Sequence, residues 1–171
     1  MRVLLDVNVC LDVLLDRAPF AGSSGQLWAL AERGKAAGLV PAHGMTTIHY
    51  VVAKARDAAT ARRFVSDSLR VFRVAAVDEA VLKRALELAM PDFEDAVCAA
   101  AAEAAGCDLV VTRDPKGYGR SPVTAVDPAT ALALLEGGGP GVAEGRARCQ
   151  ARGKRTAVRT RRGRGVARGA G

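Results

Sequence analysis

The chain has 171 residues, with 25 Lys+Arg against 18 Asp+Glu for a formal net charge of +7; half of it is hydrophobic, yet only seven residues are aromatic. That hydrophobicity excludes disorder over most of the chain, and no stretch approaches the ~20 uncharged apolar residues that a membrane span needs. The charge is uneven: residues 137–171 carry ten bases and one acid, whereas the first 136 carry 15 bases and 17 acids, so the basicity belongs to the tail.

Val3-Leu4-Leu5 is a continuous apolar run suited to a strand buried on both faces. Asp6 and Asp12 interrupt the apolar character of the N-terminus, so no secretory signal is expected and the cytoplasm is the expected location. The four cysteines, Cys10, Cys98, Cys107 and Cys149, show no CxxC and no zinc-ligand spacing, which fits a reducing compartment. Residues 8–16 read as a helix, with Asn8 as a possible cap and Pro19 as its stop. Ser23 and Ser24 are cap candidates for a second helix, which Gly34 or Gly38 would end. A short strand follows at Leu39-Val40, then helices over 43–56 and 58–69. The β-branched alternation over 71–77 predicts a strand. Asp78 caps the next helix, and Pro91-Asp92 opens another over 93–105, stopped by Gly106. Leu109-Val110-Val111 predicts a second central strand and 123–126 a third, while Asp127-Pro128 starts the last helix.

Strands alternating with helices imply an α/β fold with a mostly parallel sheet covered on both faces. Residues 1–136 form one domain; 137–171, rich in Gly and Arg without apolar period, read as a disordered basic tail. In such sheets ligands bind beyond the carboxyl ends of the strands. Asp6 follows the first strand with Asn8 two residues on, Thr112-Arg113-Asp114 follows the strand at 109–111, and Asp92, Glu94 and Asp95 open a helix. If these ends meet, carboxylates converge, and converging carboxylates repel one another unless a cation joins them. An all-oxygen set suits Mg²⁺ or Mn²⁺, and such a metal can orient a phosphodiester, activate water and stabilise the leaving oxygen.

Each residue also has a plainer reading. Asp92 can be a simple helix cap with Asp95 as its capping-box partner, and Glu94 can point to solvent. Asp114 can be a turn former before Pro115. Asp12 is either an outer ligand or wet surface. Asp6 is harder to explain away, because a carboxylate directly after a buried strand needs a partner.

Taken in order, Leu4-Leu5-Asp6-Val7-Asn8-Val9, Asp92-Phe93-Glu94-Asp95-Ala96 and Val111-Thr112-Arg113-Asp114 resemble the three acidic motifs of PIN domains, in particular the VapC-type toxin ribonucleases of type II toxin–antitoxin pairs. The resemblance runs from Met1 to about Leu135. It implies a three-layer α/β/α fold and cleavage of single-stranded RNA dependent on Mg²⁺ or Mn²⁺. Carried over by position, Asp6, Asp95 and Asp114 would be the acidic metal-site residues, with Asn8 and Thr112 supporting them and Asp92 available as a further ligand. A cognate antitoxin protein and a homodimer are the implied partners. One departure concerns the helix after the second strand, where many members carry an S-x-x-T-x-x-E pattern: here the Thr falls on Thr46 and the Glu on His49. Imidazole is a poor Mg²⁺ ligand, so a catalytically weakened PIN-like module that binds RNA or protein is the alternative. A phosphatase using Asp6 as nucleophile would want a second Asp where Asn8 stands. Lys54, Arg56, Arg62, Arg63, Lys116 and Arg120 are candidates for an RNA track.

Overall fold

The computed structural model describes residues 1–137. The expected tail therefore lies outside the described residues, apart from Gly137.

Five short strands build the sheet: β1 (Arg2–Leu5), β2 (Ala37–Pro41), β3 (Arg73–Ala75), β4 (Leu109–Val111) and β5 (Ala125–Val126). All pair in parallel, in the order β3-β2-β1-β4-β5. The chain steps outward from β1 through β2 to β3, then returns to the other side of β1 for β4 and β5. The direction of winding thus reverses between β1 and β4, where Val3 pairs with Leu109 and Leu5 with Val111. A crevice opens at such a reversal, beyond the carboxyl ends of the two strands.

Among the described residues seven α-helices cover the two faces, which completes the expected three-layer α/β/α architecture. Successive side chains of a strand point to opposite faces. Val3, Leu5, Val40, Leu109 and Val111 accordingly pack toward α1 (Val7–Leu14), α2 (Ala21–Glu32), α3 (Ala42–Ala55), α4 (Ala58–Val71) and α7 (Pro128–Glu136). Leu4, Leu39 and Val110 pack toward α5 (Glu79–Leu88) and α6 (Phe93–Ala104). On α6 the run Ala96–Ala102 is buried throughout, and its small side chains let the helix lie close to the sheet.

Several expected ends hold. Asp78, Asp92 and Asp127 each accept a backbone N–H as helix caps, and Gly34 and Gly106 take the positive φ that follows α2 and α6. Others move. α1 starts at Val7, so Asp6 rather than Asn8 occupies its cap position. α2 starts at Ala21; Ser23 sits inside its first turn and donates to Phe20 O at 3.2 Å, while Ser24 is buried. α4 runs on to Val71, which leaves only three residues for β3. There the β-branched alternation lost to continuation of an amphipathic helix whose Ser68 backs onto Phe64 O at 2.8 Å.

One close approach carries a testable consequence. A Cβ on Gly38 of β2 would stand 2.6 Å from Phe72 Cδ1 and 2.9 Å from Cε1. The Phe72 ring is held edge-on by Trp28, with centroids 4.6 Å apart and planes at 86°, so it has little room to swing away. Gly38→Ala is expected to destabilise the fold by about 1–3 kcal/mol, the range for overpacking a filled core, read as a lower midpoint in a urea melt with unchanged slope.

Candidate active site

Asp6 leaves β1 as its last extended residue, and its N–H donates to Val111 O at 2.9 Å, so the ends of β1 and β4 are stitched together at the crevice. Thr112, the next residue of β4's strand path, is buried. Its hydroxyl donates to Asp6 Oδ2 at 3.1 Å and accepts the Asp114 N–H at 3.2 Å. Thr112 is therefore a bridge between two of the three acidic segments. The third arrives on α6: Asp92 caps the helix by accepting the Asp95 N–H at 3.0 Å, which fixes the first turn and turns Asp95 inward.

The result is a cleft of about 380 Å³ whose walls include Asp6, Asn8, Asp92, Glu94, Asp95, Thr112 and Asp114. The six residues expected from the acidic motifs, Asp6, Asn8, Asp92, Asp95, Thr112 and Asp114, all line it. Asp92 serves as cap and as part of the acidic wall at once, and Glu94, though more than half exposed, also faces the cleft.

The electrostatics follow from this crowding. Asp95 is pushed up to about 6, first by burial, then by the charges of Asp6, Asp92 and Asp114. Asp6 is also raised, by burial above all, against the stabilising hydrogen bond from Thr112. Gly117, in the single 3-10 turn Pro115–Tyr118, sits against the same cluster: a Cβ there would meet Asp114 Oδ2 and Asp95 Oδ2, each at 3.3 Å. Behind them lies Tyr118, buried, with its Oη lacking a hydrogen-bond partner of good geometry among the described residues and with Asp95 and Cys98 beside it.

A divalent cation fits this donor set. It offers only hard oxygens, it carries mutually repelling carboxylates, and glycine leaves space between two of them. Among the described residues no three His, Cys, Asp or Glu side chains are arranged to cage an ion.

Two expectations change. Asp12, read as outer ligand or wet surface, is fully buried on α1 and pairs with Arg113, whose Nη1 lies 3.2 Å from Asp12 Oδ1. The Arg113 guanidinium also lies over the Phe20 ring, 3.9 Å from its centroid. Arg113 is thus held by an acid and an aromatic face. On α3, the residues that reach the cleft are Thr47 and Val51, four apart, and not Thr46 or His49. The helix has no carboxylate at all. His43, one turn earlier on the same face, lies with Nε2 3.9 Å from Glu94 Oε1; burial lowers its pKa, opposed by Glu94 and Asp6.

Reading the sequence missed Arg17, His43, Thr47, Gly117 and Tyr118. For Thr47 the signal was present, since 43, 47 and 51 share a helix face. For Arg17 and Tyr118 there was none, because they reach the site through loop paths. None of the six residues expected to form an RNA track lines the cleft, and Arg120 is engaged elsewhere, donating to Ala89 O at 2.6 Å.

No curated protein matches the chain. Among solved structures it is similar to VapBC2 from Rickettsia felis bound to a DNA fragment from its promoter, at 17% identity and TM-score 0.59 over 74% of this chain and 98% of that one. FitAcB from Neisseria gonorrhoeae is similar at 20% identity and TM-score 0.57, over 74% and 98% of the two chains. Mycobacterium tuberculosis VapC20, a Sarcin-Ricin loop cleaving toxin, is similar at 16% identity and TM-score 0.54, over 75% and 94%. At these identities the likeness establishes the fold. The family model of the PIN domain matches residues 2–116, from the first strand to the turn beyond Asp114, and the chain belongs to the PIN domain family.

Proposed function

We propose that this protein is an endoribonuclease that cleaves single-stranded RNA with Mg²⁺ or Mn²⁺, and that it is the toxin of a type II toxin–antitoxin pair. The observation that carries the reading is the meeting of Asp6, Asp95 and Asp114 in one cleft at the β1/β4 reversal, bridged by Thr112. Asp6, Asp95 and Asp114 would hold the cation, with Asp92 as the outer acid of the wall. When bound, the metal offsets the negative charge of the phosphodiester and of the carboxylates and serves as a Lewis acid. The chain's own residues do the rest. Thr112 holds Asp6 in place and ties the Asp114 backbone to it. Asp95 and Asp114 flank the reacting phosphate and orient the attacking water. Asn8, exposed on the first turn of α1, supports Asp6 and offers an amide to the substrate.

The toxin reading draws support from the likeness to VapC20, a Sarcin-Ricin loop cleaving toxin. An acidic cleft also suits silencing by a basic antitoxin segment, since complementary charge favours such docking. A homodimer working in the cytoplasm completes the proposal. No helix among the described residues is long and apolar enough to cross a membrane.

The test is cleavage of a mixed single-stranded RNA pool by the full chain, with Mg²⁺, with Mn²⁺ and with EDTA. Internal cuts in either metal, abolished by EDTA and restored by added metal, are expected. The missing carboxylate on α3 favours a second reading, a PIN-like binding module. RNA retained by a folded protein that cuts with neither metal would establish that reading instead.

A further inference from the structure

Among the described residues that wall the acidic cleft, Arg17 is the single cation. It makes no ion pair within 4.0 Å among the described residues, although charge is abundant around it. Asp12, whose charge Arg17 also helps to stabilise, has its ion pair with Arg113, at 3.2 Å from Oδ1. Its backbone is anchored at both ends: its N–H donates to Asp12 O at 3.0 Å, and its carbonyl accepts from the N–H groups of Phe20 and Ala21 at 3.0 and 2.9 Å. The side chain is half-buried at this fixed root. An arginine held at the wall of an anionic cleft, with no ion pair from its guanidinium among the described residues, has its fork of donors available for an incoming anion.

We infer that Arg17 binds a backbone phosphate of the RNA at the cleft. It sits on the α1 side, across the β1/β4 reversal from the Asp95 helix, and gives the polyanion a positive landing point in an otherwise negative groove. The inference rests on the proposed ribonuclease reading for the identity of the anion. It assigns the contact to phosphate, so it predicts a contribution to affinity that depends on salt and is indifferent to base sequence.

The experiment uses the full chain carrying Asp95→Asn to block cleavage, with Mg²⁺ present and a fluorescein-labelled random 20-nucleotide RNA pool as probe. Arg17→Ala is expected to weaken binding about 5-fold near 0.15 M salt and to reduce the slope of log K against log[salt] by about 0.7, the value for one contact to a single strand. Arg17→Lys should keep the slope, and Arg33→Ala, an exposed arginine outside the cleft, should leave both quantities unchanged. In protein with Asp95 intact, Arg17→Ala should raise KM by the same factor, and Mn²⁺ binding followed by electron paramagnetic resonance should not move.

An unchanged salt slope in Arg17→Ala overturns the inference, whether or not the melting temperature falls, because a structural role against Asp12 would move only the latter. A parent protein that does not bind the RNA at any salt overturns it as well. If the slope falls as expected while the protein with Asp95 intact cuts with neither metal, the phosphate contact stands and the nuclease reading fails.

Discussion

Asp95→Asn is expected to abolish cleavage and, in the metal-free protein at pH 8, to raise the melting temperature. The two effects have one origin. Asp95 is pushed up to about 6 because folding drives its carboxyl into a half-buried position facing Asp6, Asp92 and Asp114. An acid whose folded pKa exceeds its unfolded value, near 4, opposes folding when ionised. The stability associated with its proton is complete below the unfolded value and is lost as pH rises through about 6. A carboxyl moved that far corresponds to roughly 3 kcal/mol, and water at the open side of the cleft screens part of this, leaving about 1–2 kcal/mol. Asparagine keeps the shape and an oxygen for the Tyr118 hydroxyl while removing the charge. We therefore expect a gain of about 3–6 °C at pH 8, shrinking toward zero at pH 4.5, in a calorimetric or circular-dichroism melt with EDTA. Bound metal should reverse the order of the two proteins, since it stabilises the ionised carboxylate. Cleavage should fall by about 10²-fold or more, as expected when transition-state stabilisation of ~3 kcal/mol is lost. Equal melting temperatures at pH 8 would mean that the acids do not strain the metal-free fold.

This pattern explains how much of the protein was legible in its sequence. The central strands could be read because β1 and β4 are buried on both faces and show it as uninterrupted Val and Leu. Asp6, Asp95 and Asp114 could be read because each follows a strand or opens a helix at the one edge of a parallel sheet where ligands gather. Position along the chain was enough to put them in one cleft. Three-dimensional phase was not. On α3 the motif pattern selected Thr46 and His49, whereas the cleft meets Thr47. A one-residue error turns a helical side chain by about 100°, and a helix that is apolar on more than one side does not reveal its phase. Partners distant in sequence were equally hidden. Asp12 on an eight-residue helix could be read as an outer ligand or as wet surface, and only the fold brings Arg113 to it from 101 residues away.

That pair carries the second large expectation. Arg113→Ala is expected to destabilise the protein by about 2–4 kcal/mol. Asp12 is fully buried, and burial already raises its pKa against the opposing influence of Arg113, Arg17 and Ser24. Removing Arg113 takes away the strongest of these opposing influences and also the guanidinium lying over Phe20. Breaking a buried pair from one side leaves an uncompensated charge, which costs more than the pair was worth. Because a raised acid opposes folding when ionised, the deficit should be larger at pH 8 than at pH 5. Asp12→Asn in the Arg113→Ala background should recover much of the loss, because it discharges the orphaned carboxylate at nearly constant volume. A double-mutant cycle by urea melts measures this directly, with an expected coupling of about 1–3 kcal/mol. The same change should also reach the active site. Arg113 stands between Thr112, which bridges Asp6 to the Asp114 backbone, and Asp114 itself. Its grip on Asp12 ties the loop after β4 to helix α1, so releasing it loosens the segment that carries Asp114. Arg113→Ala is therefore expected to weaken Mn²⁺ binding, and Asp12→Asn, which restores stability, should not restore that affinity. Full recovery of Mn²⁺ binding in the double variant would show that Arg113 only neutralises Asp12 and has no part in placing Asp114.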